Sequence, residues 1–314
     1  MQLSRLKKEA GVDTSPNNKF LAPRYWPIWL AVGLLKLLIK LPYRTQLVLG
    51  KWLGRLLALV PSKMRHTTVI NLQLCFPELT ELQRQQLLRK NFESVGIGIF
   101  ETALGWWAPD SKIQSLLHAQ GVENIKMALA EGKAVMLCGA HFTTLEIAGR
   151  LMAQHLPLAV TYRTQKNPVF EKINRAALDK YYQQVLRREE VRGVLRCLKS
   201  GLCIWFAADT DAGIKNSVFV PFFDVLAATV TATPRYAKMS NAMVFPVAFY
   251  RREDGSGYEL IIQPALENFP SDNIEQDVTR LNNVLEAAIR LRPEQYLWQY
   301  KRFKTRPIGE KRVY

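Results

Sequence analysis

Ala134-Val135-Met136-Leu137-Cys138-Gly139-Ala140, running straight into His141-Phe142-Thr143-Thr144-Leu145-Glu146, is the stretch that decides the fold. Seven apolar or small residues without a charge read as a buried strand, and the pattern from Thr144 to His155 reads as a helix. Such a junction puts His141 at the carboxyl end of a strand, where open α/β sheets carry their sites.

Outward from this junction, strand-like and helix-like runs alternate. Leu158 to Tyr162 and Leu202 to Ala208 read as strands, and Val169 to Leu186, Val191 to Leu198 and Thr233 to Ser240 as helices. Val244 to Arg251 and Tyr258 to Gln263 read as a hairpin turning at Asp254-Gly255-Ser256-Gly257, with a last amphipathic helix over Val278 to Arg290. The expected fold class is α/β, a mixed but mainly parallel sheet flanked by helices. The expected organisation is a polar tail (1–20), a basic apolar anchoring segment (21–61), a helical region (62–120) that includes His118, and an α/β core (121–314), with no internal repeat or long linker.

Forty-three Lys plus Arg against 27 Asp plus Glu leave a net charge of +16, which favours a polyanionic partner. Residues 14–77 hold nine of the basic residues and no acidic one, yet they are also the most apolar part of the chain. Nucleic acid is therefore disfavoured as a partner and a membrane surface favoured. The run over residues 25–41 is near the lower limit for a bilayer span, so a single span, an interfacial amphipathic helix and a buried core helix all stay open. Lys36 and Lys40, like Lys51 and Arg55, are spaced four apart and share a helix face. No secretory signal is visible, and Cys75, Cys138, Cys197 and Cys203 lack metal or redox spacing, reading as core thiols in a reducing compartment.

His141 followed five positions later by Glu146 is the arrangement of a base held by an acid. Five positions are about 140° apart on a helix, so the pair can meet only if His141 precedes the first turn and folds back. The bland reading is a capping box of Thr143 and Glu146. Arg163 and Asp209 follow two further strands, so His141, Arg163 and Asp209 are expected to converge on one crevice. Asp209 and Asp211 before Gly213 also suit a turn, or a metal, although no further ligand cluster accompanies them and no metal or cofactor is expected. The chain has no nucleophile elbow, no Walker loop and no His-Glu-x-x-His. In Asn91 to Thr102 the glycines lack the third member of a dinucleotide fingerprint and read as close helix packing.

The chain resembles the late acyltransferases of lipid A biosynthesis, of the Kdo2-lipid IVA lauroyltransferase type. The resemblance rests on Pro23-Arg24-Tyr25-Trp26, on Asn71-Leu72 with Leu74-Cys75-Phe76-Pro77-Glu78, on Asn91 to Thr102, His141 to Glu146, Tyr162-Arg163, Asn216 to Phe223 and Gln299 to Pro307. It implies a glycerolipid-acyltransferase-like fold and an enzyme of the bacterial inner membrane with its catalytic domain on the cytoplasmic side. The implied reaction carries an acyl chain from acyl carrier protein to a hydroxyacyl chain of the lipid A precursor, with no cofactor. His141 matches the family's general base and Glu146 its orienting carboxylate, with Arg163 and Asp209 as supporting residues and Asp211 beside them. Ala212 departs from the family's usual aromatic residue, which puts the acyl length in question. Transfer to a lysophospholipid or another glycolipid, and a non-catalytic basic membrane-binding protein, are the competing readings. Oligomeric state is not legible.

Overall fold

The computed structural model describes residues 20–314, so all of the expected polar tail except Phe20 lies outside the described residues. Four helices come first: α1 (Trp26–Leu38), α2 (Tyr43–Leu59), α3 (Lys63–Cys75) and α4 (Glu81–Trp107), followed by the short α5 (Asp110–Ile113). Ser62 caps α3 through the Arg65 amide, and Thr80 with Gln83 forms a capping box on α4.

The chain then enters its sheet with β1 (Leu117–Gln120), α6 (Val122–Ala130), β2 (Val135–Gly139), α7 (Leu145–Met152) and β3 (Leu158–Tyr162). It continues through α8 (Pro168–Tyr181), β4 (Gln184–Arg187), α9 (Val191–Lys199) and β5 (Cys203–Ala207). The hairpin β6 (Ser217–Phe222) and β7 (Val225–Val230), α10 (Ala232–Ser240), β8 (Met243–Arg251), β9 (Tyr258–Ile262) and α11 (Ile274–Leu291) complete it. The seven-stranded sheet has the order β1-β9-β8-β2-β5-β3-β4, with β6 and β7 forming a separate antiparallel pair. Strands β8, β2, β5, β3 and β4 run parallel, and the antiparallel β8–β9 hairpin turns the far edge around. Because β5 lies directly beside β2, the residues that follow these two strands emerge together.

The expected mainly parallel sheet is present, with three local corrections. The helix expected over Val169 to Leu186 stops at Tyr181, and Gln184 to Arg187 pairs with β3, a strand too short for its period to be told from a helical turn. His118, placed by its sequence in a helical region, lies in the edge strand β1. No helix among the described residues is long and apolar enough to cross a membrane, which overturns the single span. Pro42 divides the apolar run into helices of 13 and 17 residues, and at about 1.5 Å per residue the first reaches only about 20 Å of a hydrocarbon layer near 30 Å thick.

These two helices are not core helices either. Leu30, Leu34 and Leu37 on α1, and Val48, Trp52, Leu56 and Leu59 on α2, recur at helical spacing and are all more than half exposed. The opposite face of α2 meets α4 backbone to backbone. A Cβ on Gly96 would lie 2.2 Å from the Gly50 carbonyl oxygen, and one on Gly54 would lie 2.1 Å from that of Phe92. Two residues further on α4, a Cβ on Gly98 would stand 2.8 Å from the Thr143 carbonyl oxygen, so the same helix also presses on the loop after β2.

Gly96→Ala therefore costs about 3 kcal/mol, measured by chemical denaturation, because rigid backbone has to shift. Gly33→Ala on α1, where nothing lies within 4 Å of the added methyl, is neutral or stabilising by under about 1 kcal/mol. Equal effects would contradict the packing described.

Candidate active site

His141 lies between β2 and α7, and its loop is held from three sides. On one side a strap, the segment after α11, forms an antiparallel bridge between Phe142 and Tyr296. The Thr143 amide donates to Gln295 (2.8 Å) and the Leu297 amide donates to the His141 carbonyl (2.8 Å). Two buried side-chain amides hold that strap from behind, where no strand is available: Asn91 donates to the carbonyls of Glu294 (3.0 Å) and Tyr296 (2.7 Å). Asn71 does the same to Trp298 (2.7 Å) and Tyr300 (2.8 Å). These are two of the residues on which the family resemblance rests, and here they order the loop that carries the imidazole.

From the α4 side, Ser94 shares a hydrogen bond with the Thr143 hydroxyl (2.7 Å). Ser94 is anchored in turn by buried Arg251, which donates to it at 3.1 Å and forms a two-point ion pair with Glu101 at 2.7 and 2.6 Å. This arrangement replaces the expected capping box. Helix α7 starts at Leu145, one residue later than a Thr143 cap requires, the Thr143 hydroxyl is taken by Ser94, and neither Thr143 nor Thr144 accepts from a first-turn amide.

The third side is Asp209, which follows β5 and is fully buried. Its Oδ1 takes the imidazole Nδ1–H at 2.7 Å, and its Oδ2 takes both the His141 amide at 3.0 Å and the Tyr296 hydroxyl at 2.8 Å. Burial alone would lower the His141 pKa, but the charge and hydrogen bond of Asp209 outweigh it and hold the imidazole above its usual 6.5. Burial opposes the ionised Asp209, yet His141 and the donors around the carboxylate keep its pKa below the ordinary value. The ring lies near-parallel to Tyr300 (5.8 Å between centroids) and edge-on to Trp205 (6.2 Å). The side chain is 26% exposed, and Nε2 makes no hydrogen bond among the described residues.

Glu146 does not hold His141 in this structure. Its carboxylate accepts from the Trp106 indole at 3.1 Å and faces a separate small recess lined by Arg150, Tyr181 and Tyr182. Burial raises its pKa, with the Trp106 N–H pulling the other way. Arg163 ends β3 as expected, but its guanidinium is exposed and makes no hydrogen bond or ion pair among the described residues. Asp211 serves the turn: it accepts from Gly213 N (3.0 Å), Thr305 N (2.8 Å) and the Thr305 hydroxyl (2.8 Å), fastening the C-terminal segment. Of the three strand ends, then, His141 and Asp209 pair while Arg163 stands apart. Among the described residues no cluster of three or more His, Cys, Asp or Glu is arranged to hold a metal.

Beside the His141 loop, a small apolar recess of about 20 Å³, partly open to solvent, lies between α7 and the sheet. Ala140, Phe142, Ala148, Met152, Trp205 and Val247 line it. Ala212 is exposed and does not line this recess. Sequence reasoning missed Tyr296 and Trp205 and met Tyr300 only within the Gln299 to Pro307 motif; Trp205 and Tyr300 pack on the imidazole, and Tyr296 reaches Asp209. A carboxylate-held imidazole with one free nitrogen, next to an apolar slot, can deprotonate a hydroxyl whose reaction partner carries a hydrocarbon tail.

The model of the family described as bacterial lipid A biosynthesis acyltransferase matches residues 14–305. A lipid A biosynthesis lauroyltransferase of Escherichia coli is 39% identical over 290 residues, covering 92% of this chain and 95% of that protein. A palmitoleoyltransferase of the same pathway and organism is 36% identical over 299 residues, covering 95% and 97%. The crystal structure of a 1-acyl-sn-glycerophosphate acyltransferase from Thermotoga maritima covers 75% of this chain and 99% of that one at 14% identity and a TM-score of 0.36, too slight a likeness to bear on fold or activity. On the family match and these identities, the chain belongs to the bacterial lipid A biosynthesis acyltransferases.

Proposed function

We propose that this acyltransferase moves a lauroyl chain from acyl carrier protein to a hydroxyacyl chain of Kdo2-lipid IVA, forming an acyloxyacyl ester. The observation that carries the reading is the imidazole held at Nδ1 by Asp209 with Nε2 free, flanked by an apolar recess that Ala140, Phe142 and Trp205 line. Nε2 removes the proton of the acceptor hydroxyl as its oxygen attacks the thioester carbonyl. Asp209 stabilises the imidazolium that forms, and first-turn amides of α7 stabilise the oxyanion. Collapse of the tetrahedral adduct breaks the C–S bond, and the imidazolium returns its proton to the departing thiolate.

Asp209 takes the orienting role that the resemblance assigns to Glu146. Glu146 fastens α7 to α4 through Trp106, Arg163 binds the head group, and Asp211 shapes the loop. The recess opens to receive the acyl tail, with Met152 among the residues that line it. The lauroyl assignment follows the 39% relative, although relatives named for palmitoleoyl and myristoyl transfer also match. Incubating the enzyme with carrier protein bearing twelve-, fourteen- or sixteen-carbon chains, and offering Kdo2-lipid IVA beside lysophosphatidate, tests both halves. Transfer of the twelve-carbon chain to Kdo2-lipid IVA is expected; transfer to lysophosphatidate alone would overturn the reading.

The exposed stripes of α1 and α2, in a region without a single acidic residue, lie in the interface of an anionic bilayer on its cytoplasmic side, with the lysines at head-group depth. Replacing Leu30, Leu34 and Leu37 together by Ser should release the protein from vesicles containing anionic lipid in a flotation assay. Unchanged flotation would assign attachment elsewhere.

His141→Ala lowers turnover by about 10²- to 10⁴-fold with normal membrane recovery. Because the base must be neutral and its pKa is held above 6.5, kcat/KM falls as pH drops through a limb lying above that value. In Asp209→Asn the raising influence is gone and burial dominates, so the limb moves below 6.5 while the plateau rate drops. Activity that stays flat to about pH 5 would contradict the base role.

A further inference from the structure

We propose that Tyr296 is a positioning residue of this site, whose hydroxyl fixes the Asp209 carboxylate in the rotation that presents Oδ1 to the imidazole. The inference rests on the reading of His141 as the base. A fully buried carboxylate must find its hydrogen-bond donors inside the protein. Asp209 Oδ2 has two, the His141 amide at 3.0 Å and the Tyr296 hydroxyl at 2.8 Å, while Oδ1 serves the ring at 2.7 Å. The amide belongs to the residue being oriented, so it cannot hold the carboxylate independently of the loop. Tyr296 can, since it arrives on a different element.

Tyr296 is itself immobilised. It is 1% exposed, its ring packs edge-on against Trp298 at 4.6 Å and against Phe142 at 6.2 Å, and its carbonyl is held by Asn91. Burial pushes the phenol far above its usual range, with the charge of Asp209 adding to the effect, so the hydroxyl remains a donor throughout the working pH range. The other titratable and charged groups around the pair are Cys138 on β2, Cys75 on α3, Asp211 on the β5 loop, and Tyr300 and Arg302 on the C-terminal segment. Burial pushes Cys138 and Tyr300 up to about 12 and Cys75 well above its ordinary value, which leaves His141 as the imidazole of the group.

The electrostatic sign is definite. A donor on Oδ2 draws charge away from Oδ1, and removing it makes the carboxylate a stronger partner for the imidazolium. Tyr296→Phe, which keeps the ring and its packing, therefore raises the pKa of His141 by about 0.5 to 1 unit, read by NMR on the full-length protein with labelled histidine. The acid limb of kcat/KM moves up by the same amount, so activity at a pH well below the limb falls by about 3- to 10-fold, while KM for donor and acceptor changes by less than about two-fold. Tyr250→Phe, which deletes a buried hydroxyl that donates to the Ala288 carbonyl and keeps the ring, controls for stability and leaves the limb where it is. The double change Tyr296→Phe with Asp209→Asn gives the limb of Asp209→Asn alone, since Tyr296 acts through Asp209.

An unmoved His141 pKa in a folded Tyr296→Phe protein overturns the positioning role, even when His141→Ala abolishes transfer. Retained transfer in His141→Ala overturns the proposed function, and the NMR titration then still reports whether Tyr296 governs the imidazole. Should Tyr296→Phe not fold, fluorotyrosine placed at position 296, a stronger donor of nearly the same shape, moves the limb down, and an unmoved limb overturns the role.

Discussion

A carboxylate sealed from solvent has to be satisfied by the protein, and the arrangement around Asp209 is organised by that requirement. Three donors reach it, from an imidazole, from the backbone amide of the same residue and from a tyrosine on the C-terminal strap. Removing one partner of a buried charged pair is costly because the other is left unpaired. The same bonds that stabilise the loop therefore fix the ring, and the ring presents Nε2 outward.

The scaffold reaches this point through close backbone contact more than through side-chain bulk. Gly50, Gly54 and Gly96 let α2 and α4 touch, and Gly98 lets α4 touch the loop after β2. Helix α4 thus links the apolar N-terminal helices to the site, and Asn91, Ser94 and Glu101 on the same helix each hold one component of it. The exposed apolar stripes of the N-terminal helices and the loop of His141 are connected by one helix of 27 residues.

The sequence made the sheet legible where strands were buried and bounded by polar turns: β2, β3, β5 and the β8–β9 hairpin stand where the apolar runs put them. It was less informative for short or edge strands. In β4 four residues of mixed character follow a helix after a two-residue gap, and β1 shows the intermediate-to-exposed pattern of a sheet edge. The hairpin β6–β7 was noticed as an unusual motif but not as a pair of strands. The site divides in the same way. His141 and Asp209 were found because each follows a strand, and the packing role of the α4 glycines was read from their spacing. The partnership between His141 and Asp209 was not legible, because 67 residues separate them and only the β2–β5 pairing brings them together. Glu146 looked the better partner by proximity in sequence, but its position on α7 turns it toward Trp106.

The central claim is that Asp209 keeps the imidazole in the tautomer with hydrogen on Nδ1, leaving Nε2 as the base. Nitrogen-15 NMR of the full-length enzyme with labelled histidine, recorded above the pKa of His141, measures this directly. The account predicts a protonated Nδ1 and a bare Nε2. A neutral ring carrying its proton on Nε2 would contradict it, because Nε2 then has no lone pair to offer an incoming hydroxyl and the bare Nδ1 faces Asp209.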